Sequence, residues 1–370
     1  MLQFESLDIL RSELKGRLDE DRALLDEMRA EVRPLKFVTR KIQPRSATAI
    51  SLVGTDGGNN QIRFDPFQVE LVRVVDSSHN EYCLEVITPR TPISELSKRH
   101  LGTDGIPRTP LGRMMKFLGI SELADLSPVF KPEGDEIAAS WTNVYREMTE
   151  WAVLLELVRE KDFGSDTVIV RDGFLRSKMF KGNLFGEYRQ GLEEGIRRQF
   201  DKGRRRIYVC GIAKRSKVLQ AYRIAMAVEG VMRNAYPAFV EVPESMEDRV
   251  YKWDEYYKRQ DKFVAGKMFL VKFGSGILDP VWAADILTTQ KGEAQTILGY
   301  LVEDAKDGFP VPFYPQCLQK AHENSALVDF DLELLEDSIC DVLRQGLGSK
   351  KWIIDELNLQ ETDPAARRYN

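Results

Sequence analysis

Residues 47–88 read ATAISLVGTDGGNNQIRFDPFQVELVRVVDSSHNEYCLEVIT, and this stretch decides the fold class. Three runs rich in Val, Ile and Leu occupy 47–55, 67–76 and 81–88, with DGGNN and DSSHN between them. Turn-forming residues between β-branched runs at this spacing predict an antiparallel meander. Upstream, Leu7, Leu10, Leu14, Leu18, Leu25 and Met28 recur at three, four or seven residues, which predicts one long helix over 5–32, ended by RPLKF at 33–37. Its apolar stripe is narrow, so it needs a partner surface in its own domain or in another subunit.

Downstream, six prolines between 89 and 140 leave room only for short helices and predict an insertion or a mobile cover. From 140 to 161, Trp141, Val144, Tyr145, Met148, Trp151, Ala152, Leu155 and Val158 form one stripe. Val153, Leu154 and Leu157 form a second on the opposite side, so this helix should be buried on two faces. A strand at 167–170 runs into Asp172-Gly173, a helix follows near 187–202, and a second strand at 206–212 runs into Lys214. A meander followed by α/β units predicts an α/β chain with a ribonuclease H-like mixed sheet, a long N-terminal helix and helical insertions. A charged, aromatic-rich helix at 247–261, late strands at 269–273 and 281–286, and a helix at 331–345 complete the reading. The expected organisation is an N-terminal dimer or partner contact at 1–40, a catalytic domain at 41–345 and a loose tail at 346–370.

The 370 residues are 43% hydrophobic and 30% charged, which places the chain among globular proteins and outside the disordered and collagen-like classes. No apolar run approaches the roughly 20 residues of a membrane helix, and the first residues do not read as a signal peptide, so a cytoplasmic protein without membrane contact is expected. Cys83, Cys210, Cys317 and Cys340 are far apart and only three histidines are present, which argues against a close-paired zinc site or a disulfide framework. Net charge is -5, yet 197–217 carries nine basic residues against Asp201 alone. Arg204, Arg205, Arg206, Arg215 and Lys217 are therefore candidates for phosphate contact, against the plainer reading of a solvated helix end and loop.

Two aspartates follow strand-like runs and precede glycine: Asp56 after AISLVGT and Asp172 after TVIVR. One Asp-Gly is an ordinary hairpin turn; two at strand ends suggest a ligand site. A third carboxylate comes from the helix at 140–161. Glu150 heads the second apolar row, where a carboxylate is costly unless neutralised or coordinated, whereas Glu147 and Glu156 border the main stripe. Glu150 is the preferred ligand, with an Arg146 ion pair as the structural alternative. Such carboxylates can hold two divalent ions that neutralise a phosphodiester and activate water. Lys214 is suited to the phosphate or the attacking water, or else simply ends its strand. His322, in LQKAHENSAL, is either an acid toward the leaving oxygen or a satisfied structural histidine.

VGTDGGNN (53–60), YREMTEWAVLLEL (145–157), DTVIVRDGFLRSKMF (166–180), GIAKRSKVLQAY (211–222) and PVPFYPQCLQKAHENSA (310–326) resemble the successive blocks of the NurA nuclease family, over about residues 45 to 330. The resemblance implies a ribonuclease H-like, Piwi-like nuclease dependent on Mn2+ or Mg2+, trimming DNA ends and cutting single strands. It also implies a homodimer docked on the hexameric ATPase HerA, in DNA end resection or, in bacteria, phage defence. By that resemblance Asp56, Glu150 and Asp172 are the metal carboxylates, Lys214 falls in the lysine block and His322 in the C-terminal histidine block. The competing expectations are an inactive adaptor of the same fold that docks DNA to a translocase, and an RNA-directed hydrolase.

Overall fold

The structure, a computed structural model, describes residues 4–46, 50–64, 67–88, 90–130, 141–251, 262–326 and 329–347. Helices α1 (Phe4–Glu20) and α2 (Arg22–Val32) and the turn α3 (Leu35–Val38) lead into the short strand β1 (Arg40–Lys41). The meander is β2 (Ser51–Phe64), β3 (Phe67–Asp76) and β4 (Glu81–Ile87). Helices α4 (Ile93–Leu101), α5 (Pro110–Phe117) and α6 (Leu123–Leu126) precede the long α7 (Trp141–Arg159). Then come β5 (Thr167–Asp172), α8 (Leu184–Gly203), β6 (Ile207–Ala213), α9 (Lys217–Glu229), β7 (Ala238–Glu241) and α10 (Glu244–Val250). The chain closes with β8 (Gly266–Lys272), β9 (Val281–Leu287), a 3-10 turn (Thr288–Glu293), α11 (Ala294–Lys306), α12 (Gln316–Ser325) and α13 (Asp329–Leu347). Local chemistry fixes several boundaries. Thr109 caps α5 ahead of Pro110, Ser216 caps α9, and Gly230 in the left-handed conformation ends α9.

The nine strands form one mixed sheet in the order β1-β7-β8-β9-β6-β5-β2-β3-β4. Within it, β4-β3-β2 is the antiparallel meander, β5 joins β2 in parallel and β6 joins β5 in parallel. That is the ribonuclease H-like order, extended beyond β6 by antiparallel β9, β8 and β7. Side chains alternate with the pleat. Ile169, Ile207 and Val209 enter the core under α7 and α8, while Val168, Val170, Tyr208, Cys210 and Ile212 enter the core under α11 and α12. A third core under α2, α9 and α10 covers β7 and β8. Helices on both faces explain why these strands read as continuous apolar runs.

Several expectations change. DGGNN is not a turn: β2 runs straight through it, and β3 begins only after Phe64. Its glycines serve close approach instead, since a Cβ on Gly57 would lie 2.5 Å from a Glu150 oxygen and one on Gly58 would lie 2.3 Å from the Ser325 carbonyl. The helix expected over 5–32 breaks at Asp21. Its second half, α2, packs on its own domain: Arg29 and Arg33 bind Glu229, Glu31 binds Arg249, and Val32 is fully buried. The described part of the proline-rich segment, 90–130, packs into the body of the chain rather than lying over it as a mobile cover, with Leu96, Met115, Leu123 and Leu126 in the same core as α7. Residues 131–140, the greater part of the helix expected at 247–261, and the tail from 348 lie outside the described residues. Strand β7 was not anticipated; its four residues are too few to show a period.

Candidate active site

β2 pairs with β5 only as far as Thr55 opposite Arg171, then continues with β3 alone. A crevice opens where the two strands part, with Asp56 one residue past the split and Asp172 at the end of β5. Lys214 follows the end of β6. Parallel strands therefore bring together, at their C-terminal ends, residues far apart in the chain. The resulting cleft, about 600 Å³, is lined by Asp56, Glu147, Glu150, Arg171, Asp172, Lys214 and His322 among others.

The pleat divides these residues between two faces. Asp56 and Asp172 share the phase of the side chains under α12, and α12 lies close enough on β2 that a Cβ on Gly54 would meet the Cys317 carbonyl at 2.3 Å. From α12, His322 Nδ1 is 2.6 Å from Asp56 Oδ2, and the Ser325 hydroxyl is 3.5 Å from the same oxygen. Lys214 Nζ is 2.7 Å from Asp172 Oδ2, and the buried Tyr314 hydroxyl donates to Asp172 Oδ1 at 3.3 Å. Oxygens of Asp56 and Asp172 and a ring nitrogen of His322 lie within 4.8 Å of one another.

On the other face, Arg171 donates to Glu150 Oε2 at 2.8 Å while stacking on Trp151 at 4.3 Å. Arg146 Nε stands 3.5 Å from Glu150 Oε1. The three carboxylates expected as ligands are thus divided. Glu150 shares the cleft with Asp56 and Asp172 but is already neutralised by two arginines, and it lies outside the three-donor group. Glu147 lines the cleft and accepts from Ser177 Oγ at 2.7 Å; Glu156 is removed from it, bound to Arg113 at 2.6 Å.

The basic segment is divided as well. Arg215 and Lys217 are exposed beside Lys214. Arg204, Arg205 and Arg206 lie at the opposite end of β6, where the Arg206 N–H donates to Asp166 before β5 begins. Eight residues at strand rise separate Arg206 from Lys214 by about 26 Å, so the two clusters cannot hold the same phosphate. Arg171 and Tyr314 were not anticipated from the sequence, whereas the Arg146 ion pair to Glu150, the structural alternative, is present. Arg171 was findable, because a residue adjacent to Asp172 on a strand must face the other way.

Burial pushes the Asp172 carboxyl up, the Asp56 charge pushes it further, and Lys214 opposes both. The hydrogen bond to Asp56 raises the His322 imidazole. Burial raises Glu150, with Arg171 and Arg146 pulling it back. A pair of mutually repelling carboxylates with a histidine at ligand spacing suits a divalent cation, whose charge would relieve that repulsion. Asp56, Asp172 and His322 would hold it.

The fold is similar to those of solved NurA structures. The NurA nuclease from Sulfolobus solfataricus is 13% identical, with 93% of this chain and 98% of that chain covered at a TM-score of 0.47. A NurA bound to dAMP and manganese is 11% identical, with 88% of this chain and 94% of that chain covered at a TM-score of 0.36. Argonaute from Marinitoga piezophila, in complex with a 5′ OH guide RNA and target DNA, is 9% identical, with 78% and 32% covered at a TM-score of 0.27. No family model matches the sequence, and no curated protein does. Among the described residues no helix is long and apolar enough to cross a membrane. What the cleft can do is read from its own atoms.

Proposed function

We propose that this chain is a divalent-metal-dependent DNA nuclease. The observation that carries the reading is the convergence of Asp56, Asp172 and His322 donor atoms within 4.8 Å, with the Lys214 ammonium on Asp172, in an open cleft at the strand ends. Mn2+ or Mg2+ bound there, as one ion or a pair, supplies charge neutralisation at the phosphodiester and eases ionisation of water. The chain's own groups divide the remaining work. Lys214 orients Asp172 and brings a positive charge to the approaching phosphate. Asp56 fixes the His322 ring through Nδ1, which leaves Nε2 as the nitrogen turned to a ligand. Arg171 and Arg146 hold Glu150 against Gly57, keeping the α7 wall of the cleft rigid.

The finer reading is a cytoplasmic enzyme with 5′-3′ exonuclease and single-strand endonuclease activity, dimeric, fed by a HerA-type hexameric ATPase in end resection or phage defence. Helix α1 supports an assembly role, because Ile9, Leu10 and Leu14 are exposed by 66%, 49% and 51%. The test is cleavage of matched single-stranded DNA, duplex DNA and RNA by the wild type and by Asp172→Asn, with Mn2+, Mg2+ and EDTA. Metal-dependent DNA cleavage lost in the variant is expected. Equal activity in EDTA, or none on any DNA with either metal, would sink the reading.

A further inference from the structure

A second cavity, about 470 Å³, adjoins the active-site cleft and shares one residue with it, Lys214. It runs between α9 and the loop joining β8 to β9. Its floor is apolar: Met226 and Met232 are buried and Trp282 is partly so. Its rim carries Arg215, Arg223 and Arg233, all exposed, and among the described residues none of the three takes part in an ion pair. The groove thus has four cations against one carboxylate, Asp279, which accepts from the Gly276 N–H at 2.6 Å. Unpaired arginines clustered in a chain of net charge -5 are a local departure from its composition.

The backbones flanking the groove are tied together. Lys272, fully buried, donates through its ammonium to the Asn234 carbonyl, next to Arg233, and at 2.9 Å to the Gly276 carbonyl, next to Ile277. A link also runs to the acidic group: the Trp282 indole donates to the Phe313 carbonyl and its ring meets the Tyr314 ring at 4.8 Å, while the Tyr314 hydroxyl reaches Asp172.

We infer that this groove is the track of a single polynucleotide strand entering or leaving the active site, an inference that rests on the nuclease reading above. Three things favour this occupant: charge complementarity to a polyanion, continuity with the cleft through Lys214, and an apolar floor beneath the cationic rim. A duplex keeps its base faces stacked inside and offers only phosphates, sugars and base edges, so an apolar floor suited to base faces would go unused. A single strand lays phosphates on Arg215, Arg223 and Arg233 and turns bases onto the partly exposed Trp282 and the exposed apolar side chains of Ile277 and Leu278. The chemistry required is a phosphodiester backbone with unpaired bases.

The experiment scores binding in EDTA, so its outcome does not depend on whether the chain cleaves. Fluorescence anisotropy with a labelled single-stranded DNA of mixed sequence, and with the matching duplex, would be measured for the full chain. The variants are Arg223→Glu/Arg233→Glu, Arg223→Lys/Arg233→Lys and, at the far end of β6, Arg204→Glu/Arg205→Glu/Arg206→Glu. The expected result is single-strand affinity about tenfold or more weaker in the groove reversal, with the slope of log affinity against log salt reduced by about 1.4 for two lost phosphate contacts. The lysine pair should restore most of that loss and duplex affinity should fall less. Single-strand affinity within about twofold of wild type in the groove reversal, or an equal fall for duplex and single strand, would overturn the inference. So would a larger single-strand loss from the far-end triple variant. Failure of the nuclease reading would appear elsewhere, as absence of metal-dependent cleavage with binding intact.

Discussion

The two faces of the sheet, at the edge where β2 leaves β5, treat carboxylates in opposite ways. Under α12, Asp56 and Asp172 face each other with one histidine and one lysine for company. Under α7, Glu150 is held by Arg171 and Arg146 and lies against glycine. The first arrangement is short of positive charge and the second is complete. Carboxylates in one cleft therefore need not share a role, and the pleat decides which is poised for a cation and which braces the wall.

The largest expected effect separates the faces by activity. Asp172→Asn should lower metal-dependent cleavage by more than about a hundredfold, the upper range for losing even an outer-shell partner of a metal site. Glu150→Gln should lower it less. Steady-state rates at saturating Mn2+ decide this, and a Glu150→Gln variant as inactive as Asp172→Asn at full folding would place Glu150 among the ligands and erase the distinction.

Next comes stability, where the order reverses. Arg171 and Glu150 side chains are only 9% and 12% exposed, and burial pushes the Glu150 carboxyl up to about 8. Even so, both its oxygens face guanidinium donors, so a Gln amide NH2 there would meet a donor and cost on the order of 1–3 kcal/mol. Glu150→Gln should therefore unfold at distinctly lower urea, and Glu150→Gln/Arg171→Met should recover part of the loss. Asp172→Asn should be neutral or stabilising without metal, since it removes a carboxylate that burial and Asp56 already disfavour. Equal destabilisation by the two single variants would break the comparison.

A smaller effect follows from pH. Asp172 has its folded carboxyl raised above the ordinary 3.8, so between those two values the folded chain holds a proton that the unfolded chain has released. Unfolding free energy from this group then falls as pH rises from about 4 through the folded value, and levels off beyond it. Asn cannot titrate. In EDTA, the stability of Asp172→Asn relative to wild type should grow over that window, and urea midpoints across mildly acidic to neutral pH would show it. A constant difference would mean that the Asp172 proton is held no more tightly in the folded chain.

Much of this architecture was legible in the sequence, and the failures have a common cause. The meander, β5, β6 and the two-faced α7 follow from periodicity, and Asp56, Asp172, Lys214 and His322 stood out because each closes or interrupts an apolar pattern. DGGNN misled because glycine and asparagine spell a turn locally, whereas Gly57 and Gly58 exist for helices that arrive from about 90 and 260 residues further along the chain. The split of Glu150 from the aspartates was invisible until the strand phase was known. Tyr314 sits in a proline-rich turn whose local pattern carries no sign of Asp172. The break at Asp21 has no strong local signal, for Asp within a charged helix is common.

The smallest expected effect concerns the cluster that sequence density made most conspicuous. Arg204, Arg205 and Arg206 adjoin Lys214 in the chain, but β6 carries the two groups about 26 Å apart. Part of the arginine cluster is also committed locally: the Arg204 guanidinium stacks on Phe200 at 5.3 Å, and the Arg206 backbone is tied to Asp166. Charge reversal of all three should leave the cleavage of a short single strand within about twofold of wild type, because no phosphate held at Lys214 can reach them. Affinity for long DNA should fall modestly and in a salt-dependent way, as general attraction of a polyanion is lost. A short strand cleaved many times more slowly by the triple variant would mean that the substrate crosses the sheet from end to end, and the acidic edge would then no longer be the whole of the active surface.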